Sequence, residues 1–529
     1  MSQNRLYHRF VLLFILLIAF GTISRADSLV SINDLNFHSA FERKTFTAVL
    51  NDQSDDYFAL FLCADSAINE SDYQAYKQKL GKVIEEYEQP SYQKLKSPKF
   101  IKQIYKNTHT TFLDKYEELT TFAQIFKTGV YQCVSGSMLY ASVFDALGIP
   151  YIINELPAHV FLSAYPETYR ITVETTNPTM GVVIYDQHFK ANFVTYLKEN
   201  KLISSTEQDT SNLDGLFYKY YMKPETIDRK QLAGLQYYNL AISELQNQNF
   251  VQAFHFVEKG YVLHPGKKYA FFLLTSLGDV IDHINVTDKD YARYLGKLCR
   301  FQGKTITSDR LIGLFQQLTD RQLNYEGNTG LYDSSFQIVA REVSDSATKN
   351  EISFIYHIER GRLLFNQERY SESKPYLEMA YSLKQNNHDA ELIFVGSVLS
   401  SINSRHMGGE YGERILEECD KYASKYPNLA NQIQFERFRI LVCLGLMDGY
   451  FFNKNVEKAE HYRHRFEGLY EGADKQSLNL YNGIPMPYST GAAYYFMIGN
   501  NKKAKEILKK GLEYVPDDYM LKSRLNALN

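Results

Sequence analysis

The chain has 529 residues, of which 44% are apolar and 22% charged, and its net charge is −3. That composition supplies more than one packed core and excludes global disorder. The near-neutral balance gives no sign of the strongly basic character usual in nucleic-acid binders, so no nucleic-acid partner is expected.

At the N-terminus, Arg5, His8 and Arg9 introduce an unbroken apolar run over residues 10–20, and Ser24-Arg25-Ala26 offers a small-x-small site just before the first acid, Asp27. This order predicts a secretory signal peptide over residues 1–26. The run is shorter than the ~20 apolar residues of a spanning helix, so cleavage is expected, with an uncleaved anchor as the alternative. The protein is therefore expected to be exported, periplasmic or extracellular, with no other membrane segment.

Residues 27–125 read as mostly helical. Tyr73, Tyr76, Leu80, Val83, Ile84 and Tyr87 recur three or four apart, which predicts a half-buried helix over residues 71–87, broken at Gln89-Pro90-Ser91. A second amphipathic helix is expected over residues 112–126. Residues 134–147 are apolar nearly throughout and predict a buried helix, stopped by Gly148 and Pro150. Short β-prone segments follow at residues 151–153, 159–165, 169–175 and 182–185. A helix followed by short strands predicts an α+β domain.

From residue 226 the helical pattern returns and partly repeats. Tyr237, Leu240, Ala241, Phe250, Ala253, Gly260 and Pro265 fall at spacings matched by Tyr488, Ala492, Tyr495, Ala504, Leu508, Gly511 and Pro516. Gly361, Tyr370, Leu377 and Ala380 form a weaker copy, and Val456 with Ala459 a hint of a fourth. Over roughly residues 230–529, within a helical domain expected at 226–529, the chain resembles tetratricopeptide repeats, well at the two ends and poorly in the middle. The resemblance implies stacked antiparallel helix pairs and a protein partner bound by the array, with an irregular helical bundle as the alternative. The 42 tyrosines beside no tryptophan fit the aromatic packing positions of such repeats.

Five cysteines, Cys63, Cys133, Cys299, Cys419 and Cys443, are too scattered for a disulfide scaffold or a zinc site. There is no P-loop and no dinucleotide-binding glycine fingerprint, and no cofactor or metal is expected. Four of the cysteines read as small buried hydrophobes. Cys133 differs because it stands where a loop turns into the 134–147 helix, and a helix N-terminus favours a thiolate and offers N–H groups to an oxyanion. Downstream come Pro157-Ala158-His159-Val160-Phe161 and Arg170-Ile171-Thr172-Val173-Glu174-Thr175-Thr176-Asn177. A turn centred between Pro166 and Glu167 would set His159 directly opposite Glu174, with Cβ atoms ~5 Å apart, where a carboxylate orients an imidazole. Asn177 is the alternative third member. His109 and His188 have less distinctive surroundings, and Gln132 is a candidate side-chain oxyanion donor.

The order of Cys133, His159 and acid, with the cysteine opening a helix that ends in Leu-Gly-Ile-Pro, resembles the transglutaminase-like superfamily over residues 110–190. The likeness is to members with His-Val-Phe and Glu-Thr-Thr-Asn motifs. It implies a papain-like α+β domain over residues 27–225 in which Cys133 is nucleophile, His159 general base and Glu174 the orienting acid, acting on a protein or peptide substrate by hydrolysis or acyl transfer. Many members carry Asp-Pro-Thr where this chain has Glu174-Thr175-Thr176, so the acid is one methylene longer. The alternative from another class is a scaffold that keeps the fold without turnover and works through the array alone.

Overall fold

A computed structural model of the chain describes residues 29–156, 158–176, 181–183, 187–199, 213–217, 225–401 and 409–528. The expected signal peptide, Pro157, Asn177 and the side chain of His188 lie outside the described residues. The chain is mostly helical with a small antiparallel sheet, and it divides into two compact units, one ending at Ile306 and the other spanning Thr307–Asn529.

The first unit opens with helices Ala40–Leu50, Tyr57–Leu62, Glu70–Tyr87 and Ser97–Phe112. The second of the two expected amphipathic helices is not continuous. Helix Ser97–Phe112 stops where that helix was expected to start, two-residue strand β1 (Lys115–Tyr116) follows, and a new helix runs Phe122–Thr128. Strand β1 pairs in parallel with β2 (Val130–Tyr131), which leads straight into helix Cys133–Ala146. That helix ends as expected: Gly148 takes a left-handed φ of 63° and Ile149 N–H donates to Phe144 O at 2.9 Å, closing the last turn before Pro150.

The sheet has strands β3 (Tyr151–Leu156), β4 (His159–Ala164), β5 (Ile171–Val173), β6 (Val182–Val183) and β7 (Glu225–Ile227) in the order β6-β5-β4-β3-β7, all antiparallel. The Cys133–Ala146 helix packs on β4 with Met138, Leu139, Tyr140, Ala141 and Val143 fully buried, and Ser137 Oγ donates to Val160 O at 3.3 Å.

The first unit continues beyond β7 through the helix hairpin Arg229–Gln246/Phe250–Leu263 and helices Lys267–His283 and Tyr291–Cys299. This hairpin is bonded to the elements before it. Gln236, fully buried, accepts from Phe122 N–H at 2.6 Å and donates to Phe61 O at 2.9 Å. Glu42, also fully buried, accepts from Tyr237 Oη at 3.0 Å and from Lys259 Nζ at 2.7 Å. Glu155 of β3 accepts from Lys268 Nζ and Tyr269 Oη, both at 2.6 Å, and bonds His264 Nε2 at 2.8 Å. Burial pushes the Glu155 carboxyl up, but these three hydrogen bonds outweigh it and hold its pKa at about 2.

The second unit is helical. Hairpins Ser346–Asn366/Tyr370–Leu383, Ile433–Phe452/Val456–Glu471 and Pro485–Met497/Asn501–Tyr514 are its recurring element. These three and the hairpin of the first unit share one connector: three residues whose middle member is left-handed, at Gln248, Glu368, Lys454 and Gly499. In each, the N–H of the third connector residue closes on the carbonyl five residues back, at 2.8–2.9 Å. The positions that repeat in sequence lie at the helix–helix contacts: Tyr237, Ala241, Ala253, Leu377, Ala380, Ala459, Ala504 and Leu508 are all fully buried.

Candidate active site

Helix Cys133–Ala146 begins at the cysteine itself, with Gln132 in extended conformation as its cap (φ −137°). Cys133 thus occupies the first helical position, where backbone N–H groups have no intrahelical acceptor and the helix dipole favours negative charge. It is the one cysteine that reaches the surface; Cys63, Cys299, Cys419 and Cys443 are buried. Burial pushes the Cys63 thiol well up and those of Cys419 and Cys443 to about 12, so these stay protonated and inert at neutral pH.

His159, at the start of β4, brings its ring to the Cys133 thiol and bonds Glu174 Oε2 through Nε2 at 2.7 Å. These hydrogen bonds, first that with Cys133 and then that with Glu174, push the His159 pKa up to about 10. Burial raises the Glu174 pKa, but hydrogen bonds from His159 and Thr176 more than offset it, and the carboxyl ends below its ordinary value. The other carboxylate oxygen, Oε1, accepts from Thr176 N–H at 3.2 Å and Thr176 Oγ1 at 2.9 Å. The result is an imidazole held between a thiol and a fixed carboxylate, an arrangement in which the ring can serve as proton acceptor.

The route to this geometry differs from the expected one. Strands β4 and β5 pair Leu162 with Val173 and Ser163 with Thr172, so the turn is centred between Glu167 and Thr168 rather than between Pro166 and Glu167. Continuing that register sets Glu174, one residue beyond β5, opposite Phe161 and diagonal to His159. A two-residue shift preserves the face, and a diagonal Cβ separation of ~7–8 Å is within reach of a long side chain. The extra methylene of a glutamate over an aspartate helps Glu174 span it.

Several contributors carry no strong sequence signal. Tyr105 Oη donates to the Glu174 carbonyl at 3.1 Å from a helix far back in the chain. A Cβ at Gly136, in the first turn of the cysteine helix, would lie 2.9 Å from both Cβ and Oγ1 of the fully buried Thr175, so that position has no room for a methyl group. Thr176 was the most discoverable, since a threonine two residues after an acid commonly caps it. The Gln132 side chain, the candidate oxyanion donor, is tied to its own neighbours: Nε2 donates to Thr120 O at 2.6 Å and Oε1 accepts from Asn239 Nδ2 at 2.9 Å. His109 stands apart from the thiol–imidazole pair, stacked on Tyr105 with ring centroids 5.4 Å apart, and burial lowers its pKa.

A separate cavity of about 350 Å³ lies in the second unit between Thr329, Arg360, Arg369 and Tyr376. Its arginines are paired, Arg360 with Asp333 at 2.8 Å and Arg369 with Glu372 at 2.6 Å, and its lining includes no cysteine, serine or histidine. Among the described residues no cluster of potential ligands could hold a metal ion, and no helix is long and apolar enough to cross a membrane.

No family model matches the chain, and no curated protein matches it. Among solved structures, one titled "Structure of Naa15/Naa10 bound to HypK-THB" is 12% identical over 65% of this chain, with a TM-score of 0.16. The match spans 63% of that structure's chain, under two thirds of it, and overlap at this score carries no argument about fold or function.

Proposed function

We propose that the protein is an exported thiol-dependent acyl-transfer enzyme with a transglutaminase-like, papain-like catalytic domain and a tetratricopeptide-like helical array that binds a protein partner. The observation that carries this reading is the bond of 2.7 Å between His159 and Glu174, with the Cys133 thiol at a helix N-terminus close enough to the same ring to raise its pKa.

In this reading the thiol proton resides on His159, and the Cys133 sulfur attacks a carboxamide or peptide carbonyl. The helix N–H groups at Cys133 face the developing oxyanion. His159 then gives its proton to the departing amine as the C–N bond breaks, leaving a thioester on Cys133. Water releases an acid, or a second amine forms a new amide. In either case His159 removes the proton of the incoming nucleophile, and the thiolate leaves.

Alkylation with iodoacetamide at neutral pH, mapped by mass spectrometry, tests the proposal. Cys133 is expected to be modified well before the four buried cysteines, and Cys133→Ala to remove the fast phase. His159→Ala should slow that phase by roughly tenfold or more. A Cys133 that reacts no faster than Cys63 would rule out thiol catalysis and leave the scaffold reading.

A further inference from the structure

The four hairpin connectors share one geometry but not one chemistry. In the two residues just before the left-handed position, the chain has Gln246-Asn247 in the first hairpin and Asn366-Gln367 in the second. In the last two it has Phe452-Asn453 and Met497-Ile498. The turn itself therefore places no demand for apolar residues there. Yet Phe452 is 79% exposed, Met497 67%, Ile498 57% and the preceding Phe496 55%.

These side chains belong to one patch. Helices Ile433–Phe452 and Pro485–Met497 pack together, with the Phe451 ring 6.1 Å from the rings of both Tyr494 and Tyr495, so the two tips are neighbours. Large apolar side chains clustered at protruding turns are costly in water and mark a contact surface.

The charge around them indicates the partner. Within residues 452–457 and 496–505 the charged groups are Lys454, Lys502, Lys503, Lys505 and Glu457, a local cationic excess on a chain whose net charge is −3. Lys503 pairs with Glu506 at 2.9 Å, while Lys454 and Lys502 have no carboxylate partner among the described residues. Aromatic and aliphatic tips rimmed by free lysines match the interface of a bilayer with anionic headgroups: the apolar groups enter the acyl boundary and the ammonium groups meet the phosphates.

We infer that the paired tips at Phe452 and at Phe496–Ile498 form a peripheral docking surface for an anionic phospholipid bilayer. This surface is independent of the cysteine site and stands whether or not that site turns over.

Flotation of the full chain with vesicles of phosphatidylcholine, alone or with phosphatidylglycerol as a third of the lipid, tests it. The anionic vesicles should retain the protein and high salt should release part of it. Phe452→Asp with Ile498→Asp should weaken retention by roughly tenfold or more. Lys454→Glu with Lys502→Glu should abolish the preference for anionic over neutral vesicles. All four positions are exposed, so both variants should keep the wild-type melting profile. The apolar run near the N-terminus is common to every protein compared, so a difference between variants reports the tips. Equal retention of wild type and the aspartate variant, equal retention on both vesicle types, or a wild-type dimer that the aspartate variant converts to monomer in sedimentation velocity would each overturn the inference.

Discussion

Glu174 acts on His159 from a diagonal position, so its effect depends on charge and reach together. Removing the charge with Glu174→Gln should let the His159 pKa fall from about 10 toward the ordinary imidazole range. The sign follows from the direction of the shift. With a raised pKa the imidazolium persists as pH rises and is lost only through about 10, so in the proposed mechanism the acid that would expel the amine survives into alkaline solution. The variant should lose it about one unit or more earlier, with turnover lowered by roughly hundredfold. The pH–rate profile reads this, and ring-proton NMR of His159 reads it without a substrate; an unshifted titration would disconnect the two residues. That His159 and Glu174 share a face is legible in the sequence, because strand alternation survives a two-residue change in turn length. Their register is not legible. The turn is lengthened by left-handed residues at Tyr165 and Arg170, with φ of 49° and 45°, and neither residue type announces that conformation.

Among elements, the cysteine helix is the most legible, since its apolar run, its glycine stop and its proline agree with one another. The expected helix over residues 112–126 fails because its apolar residues belong to two helices: Phe112 closes one, Phe122 and Phe126 serve the other, and the strand between them has only two residues to signal itself. The same weakness of local signal hides the clamp on β3. Nothing near Glu155 in sequence identifies His264, Lys268 and Tyr269 as its partners. Glu155→Ala would leave these three polar groups with their shared acceptor gone, and we expect it to destabilise the first unit by about 3 kcal/mol in urea unfolding. The native clamp has its own pH signature. A carboxyl held at about 2 contributes stability above its ordinary pKa, and that contribution is lost as pH falls toward 2. Wild type should therefore soften in acid more steeply than the variant, and parallel pH dependences would show that the clamp contributes little.

At the scale of the whole molecule, the change of sequence character at residues 225–226 and the end of the first compact unit at Ile306 mark different things. The first is where helical repetition begins; the second is where the first compact unit ends. A fragment of residues 27–225 would strip the acceptors and donors of Gln236, Tyr237, Lys259 and His264 from the sheet and the helices before it, whereas residues 27–306 keep them. We expect the longer fragment to unfold cooperatively and resist limited proteolysis, and the shorter one to be digested at once; equal resistance would make the hairpin an ornament. The helical class of the C-terminal part is legible from its periodicity, but the ownership of its first hairpin is not, because long-range hydrogen bonds leave no period. The bond from Asn239 to Gln132, the residue capping the Cys133 helix, gives this ownership a consequence for exchange. A recombination or fusion seam placed at the onset of the repeats would sever the Cys133 helix from its support, while a seam after Ile306 would pass the first unit on intact, so the heritable module is longer than the stretch that ends where the repeats begin.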